Sequence, residues 1–413
     1  MSLPRTARRA APLLAALALL APSGADAASL HQKLARDMRP AGRYSGAYVY
    51  NLTLGRTAFH WNERRSRILA SNTKLFTTSA ALARYGRSGT LGTEVLSTGS
   101  LGTDGVWHGS LYLRGGGDPT FGSRRFDRRN YGTGATVEAL ATRLQDAGIQ
   151  EVDGRIYGDE SGFDSLRGGP DSDWGTSIWV GPLSALSFNR GLANSSGSAF
   201  QTKPPLFAAR RLQAVLKKRG IRVAEGARGG RTPAGASVVA SVDSPPMETL
   251  IRLTNKPSDN FFAEMLLKDL ALQATGKGTT RRGARVAARF ARGVGSRVHL
   301  TDGSGLSHSD RASPYRVVRL LQAMASRDDF DAFYGSLSRA GRDGTLVHRL
   351  RRGPAHGRCR GKTGTLNGVS ALSGYCRARS GDLYAFSILM NGVSVSPAHH
   401  LQDAMAQAIA GIR

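Results

Sequence analysis

A serine hydroxyl becomes a useful nucleophile only when a neighbouring base takes its proton, and Ser71-Asn72-Thr73-Lys74 offers both partners. Positions i and i+3 share one face of a helix, so Ser71 Oγ and Lys74 Nζ come within hydrogen-bond reach. Taken alone, the pair reads equally as a capping serine beside a solvated lysine. Two more short motifs follow. Ser258-Asp259-Asn260 supplies a hydroxyl and an amide that could link the nucleophile region to a substrate amide. By itself it reads as a helix cap. Lys362-Thr363-Gly364-Thr365 offers a cation and two hydroxyls to a carboxylate. Gly364 removes a side chain, so that a substrate backbone can lie against the strand; without partners the motif is an ordinary strand with an exposed lysine.

Positioning these groups requires particular elements. A helix is predicted from Ser71 to about Tyr85, and Ser258-Asp259-Asn260 falls between helical patterns that dominate 245–293. Lys362 lies on the first strand of a meander over 358–366, 369–378 and 383–390, where Asn367-Gly368 signals a type I′ hairpin turn. Short strands are expected at 47–50 and 57–60, and between glycine turns over 86–122. Helix, strand and helix follow at 137–147, 155–157 and 205–219, then strands at 221–223 and 237–242. Helices are expected at 315–326 and 397–412. No internal repeat appears. The pattern is α+β, with a strand-rich insert over 96–245 between two stretches of similar character.

The address is written at the start. Arg5, Arg8 and Arg9 precede an apolar run, Ala10 to Ala21, and a small-x-small site at Ala25-Asp26-Ala27. That is the plan of a secretory signal peptide, residues 1–27, too short to span a bilayer. Export permits disulfides. Counted outward from Asn367-Gly368, Cys359 and Cys376 fall opposite each other on a non-hydrogen-bonded pair, where side chains approach most closely, so a cross-strand disulfide is expected.

Of the 413 residues, 40% are hydrophobic and 21% charged, which excludes a wholly disordered chain. The formal charge is +27, or +25 once residues 1–27 are removed. In a cytosolic protein this would suggest nucleic acid; on an exported one it reads equally as a plain basic solvated surface or as salt-sensitive retention by anionic cell-envelope polymers. The basic residues are scattered, with only short clusters such as Arg124-Arg125 with Arg128-Arg129. Gly303-Ser304-Gly305 lacks the spacing of a nucleophile elbow, and the stretch ending Gly361-Lys362-Thr363 misses the first glycine of a phosphate loop. The nine histidines show no metal-ligand spacing, so no metal or organic cofactor is implied.

Taken in order, with S-x-x-K on a helix, S-D-N at a helix junction and K-T-G on a strand, the chain resembles the penicillin-binding serine acyl-transferases. It most resembles the class C, low-molecular-mass penicillin-binding proteins, the D-alanyl-D-alanine carboxypeptidases and endopeptidases. Leu113-Arg114-Gly115-Gly116-Gly117-Asp118-Pro119, Gly158-Asp159-Glu160-Ser161, Gly181-Pro182-Leu183-Ser184-Ala185-Leu186, Asn255-Lys256-Pro257 and Asp302-Gly303-Ser304-Gly305-Leu306 extend the resemblance over nearly the whole mature chain.

The resemblance implies a penicillin-binding/β-lactamase-like transpeptidase domain, an antiparallel sheet flanked by helices, split into 28–95 and 246–413 by the insert beside the active site. It implies Ser71 as acylated nucleophile, Lys74 as general base, and Ser258 and Asn260 as proton relay and amide holder. Lys362 and Thr363 would face the terminal carboxylate, and the N–H groups of Ser71 and Thr365 would form the oxyanion hole. Asp159 is the candidate for the amino end of the stem-peptide side chain. The implied partners are peptidoglycan stem peptides and acylating β-lactams, with no nucleic acid and no transmembrane helix in the mature chain. The rivals are a β-lactamase and an inert wall-binding homologue. One physical demand follows. A lysine near its usual pKa of ~10.4 cannot accept a proton at neutral pH. Lys74 is therefore expected to be neutral, depressed by burial and by the second cation, Lys362.

Overall fold

Apolar residues along the second and third strands of the meander alternate between two cores. Ala371, Tyr375, Ala385 and Leu389 enter one, while Leu372, Cys376, Phe386 and Ile388 enter the other. Strands buried on both faces belong in the middle of a sheet covered on each side. The computed structural model describes residues 24–413 and contains that sheet. Its six strands run Ser338–Arg339, Cys359–Leu366, Val369–Arg377, Leu383–Asn391, Ser45–Asn51 and Arg56–Trp61, every neighbour antiparallel. Leu30, Leu34 and Met38 of the Gly24–Met38 helix cover one face, with Met405, Ala406 and Ile409 of Val395–Ala410. Helices Thr73–Tyr85, Met247–Asn255, Asn260–Thr275, Thr280–Gly293 and Pro314–Ala325 build the other. The signal-peptide reading lies outside the described residues except for 24–27, which open the first helix.

The intervening region carries its own mixed sheet, in the order Ala227–Gly229, Ile156–Asp159, Leu111–Gly115, Gly92–Ser97 and Ser237–Asp243. Helices Val137–Asp146 and Pro204–Lys218 pack on it through Leu140, Leu144, Leu212 and Leu216. One stretch of the region belongs elsewhere. Phe163, Val180, Leu183 and Ala185 join the core around the Thr73–Tyr85 helix. Lys268 anchors that stretch, donating to Asp164 Oδ1 at 2.7 Å and Leu166 O at 2.8 Å.

The hairpin register runs unbroken from Leu366 opposite Val369 to Cys359 opposite Cys376, and these cysteines form a disulfide with Cα atoms 4.0 Å apart. The turn itself differs from expectation. Only Gly368 has a positive φ, 68°, so it is not type I′, which needs two such residues. The Gly368 carbonyl accepts from Gly392 and Val393, at 2.8 and 3.3 Å, which fixes the turn from outside. The sequence reading also missed the Arg124–Asn130 helix. That segment has a single apolar residue and no amphipathic period, and Ser123 starts it by accepting from Phe126 N–H at 3.3 Å.

Candidate active site

The nucleophile sits in a tight turn that enters a buried helix. Ala70–Asn72 is a 3-10 turn and Thr73–Tyr85 continues as α-helix, with Thr73 to Leu82 all buried. Ala70 opens the turn at φ 46°, a conformation that costs a non-glycine residue about 1 kcal/mol and persists only where neighbours impose it. The neighbour is the loop Asp302-Gly303-Ser304-Gly305: a Cβ on Gly305 would lie 1.9 Å from Ala70 O.

Lys74 is wholly buried and its Nζ makes three contacts: Ser71 Oγ at 2.9 Å, Asn260 Oδ1 at 2.7 Å and Ser304 O at 2.6 Å. The Asn260 and Ser304 oxygens are carbonyls and only accept. A free amine can satisfy both with its two hydrogens and leave its lone pair for the Ser71 O–H. Burial pushes the Lys74 pKa down to about 8, while Asp302, Asp259, Glu264 and Asp310 pull the other way. At pH 7 roughly one molecule in ten then carries the free amine. The depression runs in the direction the base role needs, and the nearby carboxyl groups oppose it. Lys362 is not its cause. Burial, with the Lys74 charge second, instead drives Lys362 well below the usual lysine range.

Ser258 closes the opposite wall. It follows the Met247–Asn255 helix with φ 61°, and its Oγ accepts from Lys362 Nζ at 2.8 Å. Both readings of the motif hold together, for Asp259 caps the next helix by accepting from Phe262 N–H at 2.9 Å. Its other oxygen pairs with Arg190, brought in from the inserted region. Asn260 Nδ2 donates to Trp179 O at 3.1 Å, so that region also touches the site directly.

The Cys359–Leu366 strand forms the third side. Asn72 Nδ2 donates to Lys362 O at 3.1 Å and ties the strand to the nucleophile turn. A Cβ on Gly364 would meet Leu69 O at 2.9 Å and Ser71 N at 3.0 Å. Gly364 is thus required by the protein's own turn, and its missing side chain also leaves the space beside Ser71 N–H open. Lys362 is buried, whereas Thr363 is partly exposed and Thr365 exposed; Thr363 Oγ1 donates to Thr345 Oγ1 at 2.7 Å. Counted from the hairpin turn, Thr365 and Ser370 form a non-hydrogen-bonded pair, so the Thr365 N–H points away from the neighbouring strand.

Asp159 is not brought to this cleft group. It is 1% exposed, and its two oxygens accept from Ser161 N–H at 2.7 Å and Thr232 N–H at 2.8 Å. Each oxygen already accepts from a backbone N–H and almost none of the carboxylate is exposed, so it closes a turn and the substrate-contact expectation is withdrawn. The sequence reading overlooked the supports instead. Asp302 accepts from Gly305 N–H at 2.6 Å and Ser307 N–H at 2.8 Å, and Glu264 Oε1 from Gly303 N–H at 3.0 Å and Ser304 N–H at 2.8 Å. These bonds aim the Ser304 carbonyl at Lys74. Burial, reinforced by Asp302, pushes Glu264 up to about 8. The only sequence signal for them was the Asp302-Gly303-Ser304-Gly305 string itself. Among the described residues, no group of three or more His, Cys, Asp or Glu side chains is placed to hold a metal ion.

The chain is 29% identical to a D-alanyl-D-alanine carboxypeptidase of Actinomadura sp. (strain R39), over 99% of this chain and 88% of that one. Its fold is similar to penicillin binding protein 4 (DacB) from Haemophilus influenzae, with a TM-score of 0.73 and 22% identity over 92% of this chain and 97% of that one. It is also similar to that protein complexed with a novel β-lactam, with a TM-score of 0.70 and 20% identity over 92% and 98%. A Bdellovibrio bacteriovorus predatory endopeptidase, Bd0816, shares the fold at a TM-score of 0.57 and 17% identity over 88% and 92%. The profile of the D-Ala-D-Ala carboxypeptidase 3 (S13) family matches residues 27–199 and 189–411. With Lys74 bonded to Ser71 and Asn260, Lys362 bonded to Ser258, and that profile running from one end of the fold to the other, the chain belongs to the D-Ala-D-Ala carboxypeptidase 3 (S13) family, and thus to the class C low-molecular-mass penicillin-binding proteins.

Proposed function

We propose that the chain is an exported serine D,D-peptidase that removes terminal D-Ala from peptidoglycan stem peptides, or cuts D,D-crosslinks, through an acyl-enzyme at Ser71. The observation that carries this reading is the Lys74 amine held between Ser71 Oγ, Asn260 Oδ1 and Ser304 O. In its free-amine form Lys74 takes the Ser71 proton as Oγ attacks the carbonyl of the penultimate D-Ala. The N–H groups of Ser71 and Thr365 face the developing oxyanion, where each such donor is commonly worth roughly 3–4 kcal/mol of barrier. The C–N bond then breaks as the leaving amine takes the proton held by Lys74, with Ser258 as relay, which returns Lys74 to the free amine. Lys74 next takes a proton from the water that attacks the ester carbon, the ester C–O bond breaks, and that proton passes to Ser71 Oγ as the shortened peptide leaves. Thr363 and Thr365 receive the terminal carboxylate, with Lys362 behind them. That carboxylate supplies the counter-charge the buried Lys362 lacks, and so favours its ammonium form.

A β-lactam carries an amide carbonyl and a carboxylate in a comparable arrangement and acylates Ser71 in the same way. Residues 28–95 and 246–413 act as the catalytic unit and 96–245 as the insert beside it, except that the strand Gly92–Ser97 goes with the insert's sheet and Phe163, Val180, Leu183 and Ala185 with the catalytic core. Residues 1–27 direct export, to the periplasm or the cell wall, and the basic surface holds the protein loosely to anionic envelope polymers. Labelling with a fluorescent penicillin tests the activity. A long-lived adduct that Ser71→Ala abolishes is expected; rapid loss of label would make the protein a β-lactamase, and no adduct would make it an inert wall-binding homologue.

A further inference from the structure

Some of the basic residues that look scattered along the chain come together in the fold, on one helix and in the cavity at its end. From Gly276 to Leu300 the sequence has six arginines, one lysine and no acid. The Thr280–Gly293 helix buries Gly283, Ala284, Ala287 and Ala291, and a Cβ on Gly283 would meet Leu267 O at 2.0 Å. With that face pressed inward, the helical period sends Arg281, Arg285, Arg289 and Arg292 outward in one exposed line about 16 Å long. The line ends at an open cavity of about 610 Å³ whose walls include Arg64, Arg292, Arg297, Arg311, Arg316 and His299. Arg64 lies 3.5 Å from Glu63. Among the described residues, the other four arginines of the cavity have no carboxylate partner. None of the residues assigned to the Ser71 cleft lines this cavity.

We propose that this ridge and cavity bind a linear phosphodiester polymer of the cell envelope, at a site separate from the catalytic cleft. The inference deepens the envelope-retention reading above and rests on it. Guanidinium forks match phosphate oxygens bidentately, and several converging on one concavity repel each other until an anion arrives. A line of charges leading into a pocket suits a chain with repeated anionic groups better than a single ion. A flat bilayer fits poorly: the exposed large apolar side chains among the described residues are Tyr44, Leu54, Leu101, Leu166, Ile178, Trp179, Val238 and Val347, none of them on this helix or in this cavity.

The test titrates the full chain with synthetic poly(glycerol phosphate) across a NaCl series around about 0.15 M. The triple variant Arg285→Ala/Arg289→Ala/Arg292→Ala is compared with Arg124→Ala/Arg125→Ala/Arg128→Ala, which removes the same charge from another surface. Ridge substitution is expected to weaken binding roughly tenfold or more and to flatten its salt dependence, with the control within about twofold of the parent. Equal weakening by both triples would reduce the effect to net charge and overturn the proposal. So would no binding by the parent, or tighter binding to phosphatidylglycerol vesicles or to duplex DNA at equal phosphate. Fluorescent-penicillin labelling of Ser71 is read on every sample. Unchanged labelling shows that the variants are folded and separates failure of this site from failure of the peptidase reading.

Discussion

Lys74 decides the chemistry at the scale of single residues. It has to be cationic enough to be held by carbonyls and basic enough to take a proton from Ser71. A pKa of about 8 serves both needs, and its sign can be checked. The active free amine grows as pH rises, so the rate of Ser71 acylation by a β-lactam should climb about tenfold per pH unit below 8 and level off above it. Stopped-flow acylation across pH 6 to 9 reads this directly; a rate that kept rising in proportion towards pH 10 would mean that Lys74 keeps its ordinary pKa. Lys362 is depressed as well and, among the described residues, has no carboxylate contact, its Nζ meeting Ser258 Oγ and Thr363 O. The two scarce lysines thus have distinct jobs, one poised as a base and one awaiting a substrate charge.

At the scale of elements, three backbones converge on the nucleophile turn, and glycines mark where they touch. Gly364→Ala would push a methyl group against Leu69 O and Ser71 N. Acylation should fall roughly 10- to 100-fold, as expected for a displacement near 1 Å at the reacting centre, with the thermal midpoint dropping far less than for a core deletion. Single-turnover acylation and calorimetry on one sample distinguish the two effects. The Asp302–Gly305 loop is held from below by Glu264, whose Oε1 accepts from two backbone amides. Glu264→Ala removes that support and should free the Ser304 carbonyl from Lys74, lowering acylation and moving its pH midpoint. Glu264→Gln retains an acceptor oxygen and should restore most of both. A variant pair with equal pH midpoints would confine Glu264 to packing.

At the scale of the whole molecule, one sheet joins the beginning and the end of the chain. Ser45 to Asn51 pairs without a break to Met390 to Tyr384, so the catalytic unit closes only after the last strand is made. The Cys359–Cys376 link, 17 residues apart in sequence, pins the strand that carries Lys362 to its neighbour. Loop-closure entropy alone gives such a link about 3 kcal/mol. Cys359→Ala/Cys376→Ala should therefore lower unfolding free energy by about 2–4 kcal/mol in urea titration, while leaving the Lys74 pH profile in place. An unchanged midpoint would mean that the hairpin is fully held by its own register and by the helix beneath it.

Much of this protein was legible from sequence because its signals are local. The apolar run of 383–390, the helical patterns of 245–293 and the Asn367-Gly368 turn each act within a few residues, and together they located the elements and the cysteine register. The three motifs were readable for the same reason, each being a contiguous string. What tertiary structure alone decided depends on groups far apart in the chain. Asp159 has one of its oxygens held by Thr232, 73 residues away, which no local pattern reveals. Gly364 owes its identity to Leu69 and Ser71, and Lys74 owes its pKa to burial opposed by Asp302, Asp259, Glu264 and Asp310. The arginines of 281–292 form a line because helix geometry and a buried glycine-alanine face align them, and only the fold adds Arg64, Arg311 and Arg316. Hydrophobic period and turn chemistry are short-ranged and repeat along the chain, whereas desolvation and charge are summed over every neighbour in space.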